Sequence, residues 1–235
     1  MTKSKKKNAP DGEGFSLISN SKLLALYAAM VQTRTVAQQS RTQLPRQRAP
    51  RSVESILGHE AAVAGAAIDL KAHDTLVPTV WPDSALKAIN SNVSVAPTLP
   101  AAIRAALAEK NNQKITLLFS SAKPSAQPAW INALTVAAEN SLPFLFVALD
   151  RFPGEESSFN PANIPVNRKG YNLPVIPVDG HDVVAVYRVA TESMTYARKG
   201  YGPTVIDCRL STTGDPLTNM ETYLSLKGLK PARLQ

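Results

Sequence analysis

The chain has 235 residues, 44% of them hydrophobic, enough for one sizeable core; length alone leaves one large domain or two small ones open. Its net charge of +8 raises the question of nucleic acid. The excess is local, however: residues 1–14 (four lysines, Asp11, Glu13) supply +2 and residues 41–51 (Arg41, Arg46, Arg48, Arg51) supply +4, with no aromatics interleaved as a single-strand platform would need.

Residues 1–16 lack periodicity and read as a disordered basic tail, with residues 17–235 as a single domain. No apolar segment follows the lysines, so the secretory pattern is missing and a cytoplasmic location is expected. From 21 to about 39, Leu23, Leu24, Tyr27, Met30, Val31 and Val36 recur at helical spacing, with Ser19 or Ser21 available as cap. Residues 41–51 hold two prolines and four arginines and are expected to be a loop. Its arginines offer a surface to an acidic partner subunit, or, as a rival reading, to an anion or nucleic acid.

GHEAAVAGAAIDL, 58–70, is a helix of small residues suited to close packing and burial. A strand at 75–80 precedes a helix opened by Pro100, where the missing N–H costs nothing. Strands at 115–120 and 144–149 flank a helix at 128–140. The apolar run 143–149 is far shorter than the ~20 residues of a membrane span, so a soluble protein is expected. Residues 150–173 read as loop, 175–178 as a strand, and 182–199 as a helix between an Asp182 cap and Gly200. TVIDCR is a further strand, in which Cys208 reads as a small buried residue, and 217–226 a last helix.

Strands alternating with helices indicate an α/β fold with a doubly wound, mainly parallel sheet. Ligands of such sheets bind beyond the C-terminal strand ends, here Val80 to Asp83, Ser120 to Lys123, and Asp150 to Phe152. No glycine occurs among the 88 residues between Gly65 and Gly154, so two of these three loops lack the backbone freedom of a phosphate cradle. Lys123 and neighbouring hydroxyls could hold a lone anion; a plain turn is the blander alternative. His59, His73 and His181 form no zinc spacing. Asp83 and Asp150 could converge on a hard cation, but Arg151 follows Asp150. No Gly-x-Ser-x-Gly elbow supports a nucleophilic serine, and His181 reads as a turn residue beside a helix cap.

SKLLALYAAMVQTRTV, GHEAAVAGAAIDLKAHD and YNLPVIPVDGHDVVAVYRVATESMTYARKGYGPTVIDCR, in this order, resemble the alpha subunit of thiamine-diphosphate-dependent 2-oxo acid dehydrogenases, over roughly residues 20–228. The resemblance implies the thiamine-diphosphate-binding fold, an oxidoreductase family acting on pyruvate, branched-chain oxo acids or acetoin, thiamine diphosphate and magnesium as cofactors, and a cofactor site between subunits.

Carried over residue by residue, the resemblance implies a loss. The family's Gly-Asp-Gly falls on Ser120, Ser121 and Ala122, so its magnesium-binding aspartate is replaced by Ser121. The Asn-Asn that closes the motif falls on Asp150 and Arg151, and a glutamate of the intervening helix on Asn132. The family's Tyr-Arg pair near the phosphates falls on Val80 and Trp81 without its following histidine, and CRLSTTGDP lacks the histidine of the C-terminal stretch. The expected pocket is therefore a degenerate one at Ser120, Ser121, Lys123, Asp150 and Arg151, with no metal ligand, no catalytic residue assigned, and thiamine diphosphate and magnesium lost or very weakly held. A homo-oligomer or a beta-type partner subunit is expected. The alternative is an active 2-oxo acid dehydrogenase component in which Lys123 and Arg151 replace the metal with direct charge.

Overall fold

In the computed structural model, which describes residues 18–43, 57–77, 89–91, 93–109, 113–121, 128–150, 173–210 and 214–230, six strands form one parallel sheet. The strands are β1 (Thr75–Val77), β2 (Ser94–Val95), β3 (Thr116–Ser121), β4 (Phe144–Asp150), β5 (Val175–Asp179) and β6 (Thr204–Arg209), in the order β2-β1-β3-β4-β6-β5. The expected α/β class and parallel sheet are observed. TLLFS and FLFVAL are apolar on both faces because helices cover both sides of a parallel sheet.

The helices are α1 (Asn20–Gln43), α2 (Glu60–Ala67), α3 (Leu99–Ala108), α4 (Pro128–Glu139), α5 (Val183–Arg198) and α6 (Pro216–Leu226). Side-chain alternation along the strands separates two cores. On one face, α3 and α4 pack on Leu118, Phe144, Phe146 and Val205, with Trp130 edge-on to Phe146 at 5.2 Å between centroids. On the other, α2 and α5 cover Leu117, Phe119, Leu145, Val147 and Ile206. A third cluster joins α1 and α6 to α2 through Leu23, Leu26, Met30, Ala61, Ala64, Met220 and Leu224, so this side carries two helical layers.

Local chemistry fixes the helix ends. The Ser19 hydroxyl accepts the Lys22 N–H at 3.2 Å, Thr98 accepts that of Ala101 at 3.2 Å, and Asp182 accepts those of Val184 and Ala185 at 2.9 and 3.1 Å. Gly200 follows α5 with φ of +83°, a left-handed terminus that glycine adopts without strain.

Three expectations need correction. Residues 41–43 continue α1 rather than belonging to a loop; Pro45 disfavours helix only from residue 44, so nothing in the sequence forces an earlier stop. The small-residue helix spans 60–67, shorter than 58–70, because Ile68 and Asp69 already turn towards β1. Strand β2 was not anticipated: its two residues lie at the sheet edge and show no apolar run. The rest of the basic loop 44–51, the tail 1–16, and residues 78–80 of the expected first strand lie outside the described residues.

The small residues of α2 serve packing within this chain. Every residue of the helix is buried, and a Cβ on Gly65 would stand 2.9 Å from Val186 Cγ1 and 3.0 Å from the Tyr187 backbone nitrogen of α5. At the sheet edge, β5 pairs only with β6 among the described strands. Val205 N–H donates to the Pro174 carbonyl and Gly180 N–H to that of Arg209, so even-numbered residues face β6 and Pro177 faces outward. Its missing N–H therefore lies on the open edge and blunts strand addition there.

Candidate functional site

The C-terminal ends of β3, β4 and β6 lie side by side, which brings the expected strand-end positions together. Register pairs Ser120 with Ala148 and Ala148 with Asp207; one step further, Ser121 neighbours Leu149, and Asp150 neighbours Arg209. Ser120, Ala148 and Asp207 share the face of Leu118 and Phe146 by alternation, beneath the start of α4. Ser120 is buried. Ser121 and Asp150 are placed by their backbone as the last residues of β3 and β4. Lys123, Arg151, and the positions Val80, Trp81, Asp83, Ala122 and Phe152 lie outside the described residues.

Two residues at this end have no counterpart in the sequence expectations. Asp207 is 1% exposed, and its Oδ2 accepts the Arg209 Nε–H at 2.9 Å. The signal for them was available in TVIDCR, where a carboxylate interrupts an otherwise apolar strand; a buried charge has to be paired. Cys208 points to the other face, fully buried. Desolvation, reinforced by the Asp207 and Asp179 carboxylates, pushes its thiol well above the ordinary range, in keeping with a buried packing residue.

The helical layers are tied down by a second ionic group. Arg34 of α1 donates through Nε to Glu60 Oε1 at 2.9 Å and through Nη1 and Nη2 to both oxygens of Asp215, the N-cap of α6. Glu60, fully buried, also accepts the Gly58 N–H at 3.0 Å. The hydrogen bonds from Arg34 hold the Asp215 carboxyl below the usual carboxylate range, and the same contacts raise the Arg34 guanidinium. This group joins α1, α2 and α6.

A magnesium-bound diphosphate requires hard anionic donors and backbone N–H groups. Among the described residues no group of three or more His, Cys, Asp or Glu is placed to hold a metal. Among the described residues, β3 ends on Ser120 and Ser121 and β4 on Asp150, and β6 brings the Asp207–Arg209 ion pair beside them. These described residues do not by themselves make up a metal-diphosphate site, and no chemical step is derived through that group.

Parallel strands wound on both faces, with the C-terminal ends of β3, β4 and β6 side by side, define a doubly wound α/β protein. Residues 81–211, more than half of the chain, match the family described as "Dehydrogenase E1 component", and the chain belongs to that family. It is 34% identical over 103 residues to the alpha subunit of acetoin:2,6-dichlorophenolindophenol oxidoreductase from Bacillus subtilis, covering 42% of this chain and 31% of that protein. It is 36% identical to the alpha subunit of 3-methyl-2-oxobutanoate dehydrogenase from Mycobacterium tuberculosis H37Rv, covering 28% of this chain and 24% of that one. The matches thus span about a quarter to a third of these relatives' length. Among solved structures, 2-oxoglutarate:ferredoxin oxidoreductase from Magnetococcus marinus is similar over 66% of this chain and 28% of that chain, at 16% identity and a TM-score of 0.43. Among the described residues, no helix is long and apolar enough to cross a membrane.

Proposed function

We propose that the chain is a degenerate alpha-subunit-like dehydrogenase component, a cytoplasmic single-domain protein without thiamine-dependent catalysis of its own. It acts as a dimer or as the partner of a beta-type subunit. The observation that carries this is a pair of residues in the sequence, Ser121, the last residue of β3, and Arg151, the residue after Asp150. Where the family resemblance calls for an aspartate and an asparagine on magnesium, this chain has Ser121 and Arg151. The register of Asp150 opposite Arg209 is in keeping with it, since it sets a cationic residue beside the end of β4. Two lost ligands and an added cation weaken a metal-tethered diphosphate by several kcal/mol, on the order of a thousandfold in affinity. Isothermal titration with thiamine diphosphate and magnesium tests the reading: no heat of binding in the micromolar range is expected, and micromolar binding overturns it.

One specific feature favours a second reading. Lys123 and Arg151 would bring two cations to the crevice, and direct charge can take the place of a metal on an anionic cofactor. The chain would then be an active component acting on an oxo acid or acetoin, as the names of its relatives describe for those proteins. Reduction of a dye acceptor with pyruvate, 3-methyl-2-oxobutanoate or acetoin, with thiamine diphosphate added and magnesium chelated, would establish it.

A further inference from the structure

A second concavity of about 290 Å³ opens at the C-terminal end of β5, between the start of α5 and one side of α6. Its polar lining is Asp179, His181, Asp182, Asn219 and Tyr223. Val183, Val184 and Met220 make its apolar wall. The strand-end row at Ser120 and Asp150 contributes nothing to it. It nevertheless lies at the end of the sheet where α/β proteins bind ligands.

The charge of this pocket runs against that of the chain. In a protein of net charge +8, the described residues of the lining hold two carboxylates and no Lys or Arg. The register neighbour of Asp179 is Arg209, whose Nε is taken by Asp207, so among the described residues of β5 and β6 the guanidinium already has a carboxylate partner and Asp179 adds a second. The excess outweighs the roughly half positive charge of the α5 N-terminus, which Asp182 already meets by accepting two N–H groups through Oδ1. Asp179 likewise commits Oδ1 to the His181 N–H at 2.9 Å, leaving its second oxygen as an acceptor. The elevated thiol of Cys208, raised in part by Asp207 and Asp179, reports the same negative field. An ammonium of this chain already exploits the rim: Lys227 Nζ lies 5.4 Å from the centroid of the Tyr223 ring.

We propose that this pocket binds a small organic cation with a short apolar stem, an alkylguanidinium or alkylammonium, with its charge against Asp179 and Asp182, its N–H groups shared with Asn219 and Tyr223, and its stem on Val184 and Met220. The partner is a free amine or guanidine, or the same group on a lysine or arginine side chain. The site is independent of the strand-end crevice, so its fate does not depend on whether thiamine diphosphate binds.

Titration of the full chain with n-butylguanidinium, followed by NMR of the His181 and Tyr223 ring signals, tests this against n-butylurea, a neutral molecule of nearly the same shape. Saturable shifts with the cation and none with the urea are expected. Asp179→Asn keeps an acceptor for the His181 N–H while removing the charge, and should weaken binding about tenfold, as one partly solvated unit charge does. A free amine is the source if butylammonium and butylguanidinium bind as tightly as Lys- or Arg-containing peptides; tighter binding of the peptides assigns the pocket to a protein partner. Equal shifts with the urea, no saturation, or unchanged binding in a folded Asp179→Asn variant would overturn the proposal.

Discussion

Arg198, in the last turn of α5, grips both carboxylate oxygens of Asp74, the residue that leads into β1, with Nη1 at 3.0 Å from Oδ1 and Nη2 at 2.5 Å from Oδ2. Asp74 is fully buried and also accepts the Ile115 N–H at 2.9 Å and the Lys71 N–H at 2.7 Å, while Arg198 donates to the Gln113 carbonyl. One carboxylate thus joins the entrances of β1 and β3 to the end of α5, at the opposite end of the sheet from the crevice. Asp74→Ala leaves a half-buried guanidinium with only the Gln113 carbonyl and strands two N–H groups, and should lower unfolding free energy by about 2–4 kcal/mol in urea titrations. Arg198→Lys, which keeps the charge and loses the two-pronged geometry, should recover only part of that.

Asp215 gives the chain a pH signature. Its folded-state carboxyl is depressed, first by the hydrogen bonds from Arg34, so its stabilising contribution is full above the ordinary carboxylate pKa and is lost as pH falls through about 4 towards the lower folded value. Asp215→Asn retains a good N-cap for α6 while removing the charge. The variant should therefore lose stability at pH 7 yet show a shallower further loss between pH 5 and about 3 than the parent chain. Urea midpoints at the two pH extremes check this; parallel pH curves would show that the Arg34 pair does not hold in solution.

The contact between α2 and α5 admits a sharper test, because two opposing terms can be compared. Replacing Gly65 with Ala improves helix propensity by up to about 1 kcal/mol, but overpacking of this kind costs about 1–3 kcal/mol. Val186 Cγ1 at 2.9 Å is a stiff β-branched neighbour, and the Tyr187 nitrogen at 3.0 Å is backbone. The steric term wins, and Gly65→Ala should lower the melting temperature. Adding Val186→Ala relieves only the side-chain clash, so a double-mutant cycle should show partial rescue of Gly65→Ala by Val186→Ala.

What the sequence disclosed about this architecture follows the range of the interactions. Helix α5 was legible at both ends because Asp182 and Gly200 act on their own neighbours, and β3 and β4 were legible because a strand covered on both faces must be apolar throughout. Helix α1 ran past its expected end because nothing local opposed it, and β2 was hidden because two edge residues leave no pattern. The pairs Arg198–Asp74 and Arg34–Asp215 join residues 124 and 181 positions apart, which no local pattern announces. Ser120, Ser121 and Asp150 stand where the apolar runs of β3 and β4 end, whereas the identity of Asp207 and Arg209 as their neighbours depends on the β4–β6 pairing.

Cys208 should behave as an inert residue. A fully buried thiol in β6, held neutral by burial and by two nearby carboxylates, offers almost no thiolate at neutral pH. Ellman's reagent should therefore leave the folded protein unmodified over the time in which it labels the urea-unfolded chain completely. Labelling of the native protein at comparable speed would mean that the β5–β6 edge opens readily.

The strand-end substitutions lead to a gain-of-function test. If Ser121 and Arg151 are what excludes the metal-bound diphosphate, Ser121→Asp together with Arg151→Asn restores an acid and an amide and removes a cation. The glycines that flank the family motif stay absent, so recovery should be incomplete: a rise of about tenfold or more over the parent in affinity for thiamine diphosphate, wholly dependent on magnesium. Each single variant should recover less than the pair, because Ser121→Asp alone keeps the repelling guanidinium and lacks the amide, and Arg151→Asn alone lacks the acid. Calorimetric titration with and without a chelator reads the effect directly. A double variant that folds with the parent's stability yet binds no better would mean that the cofactor is excluded by the shape of the crevice and not by its charge.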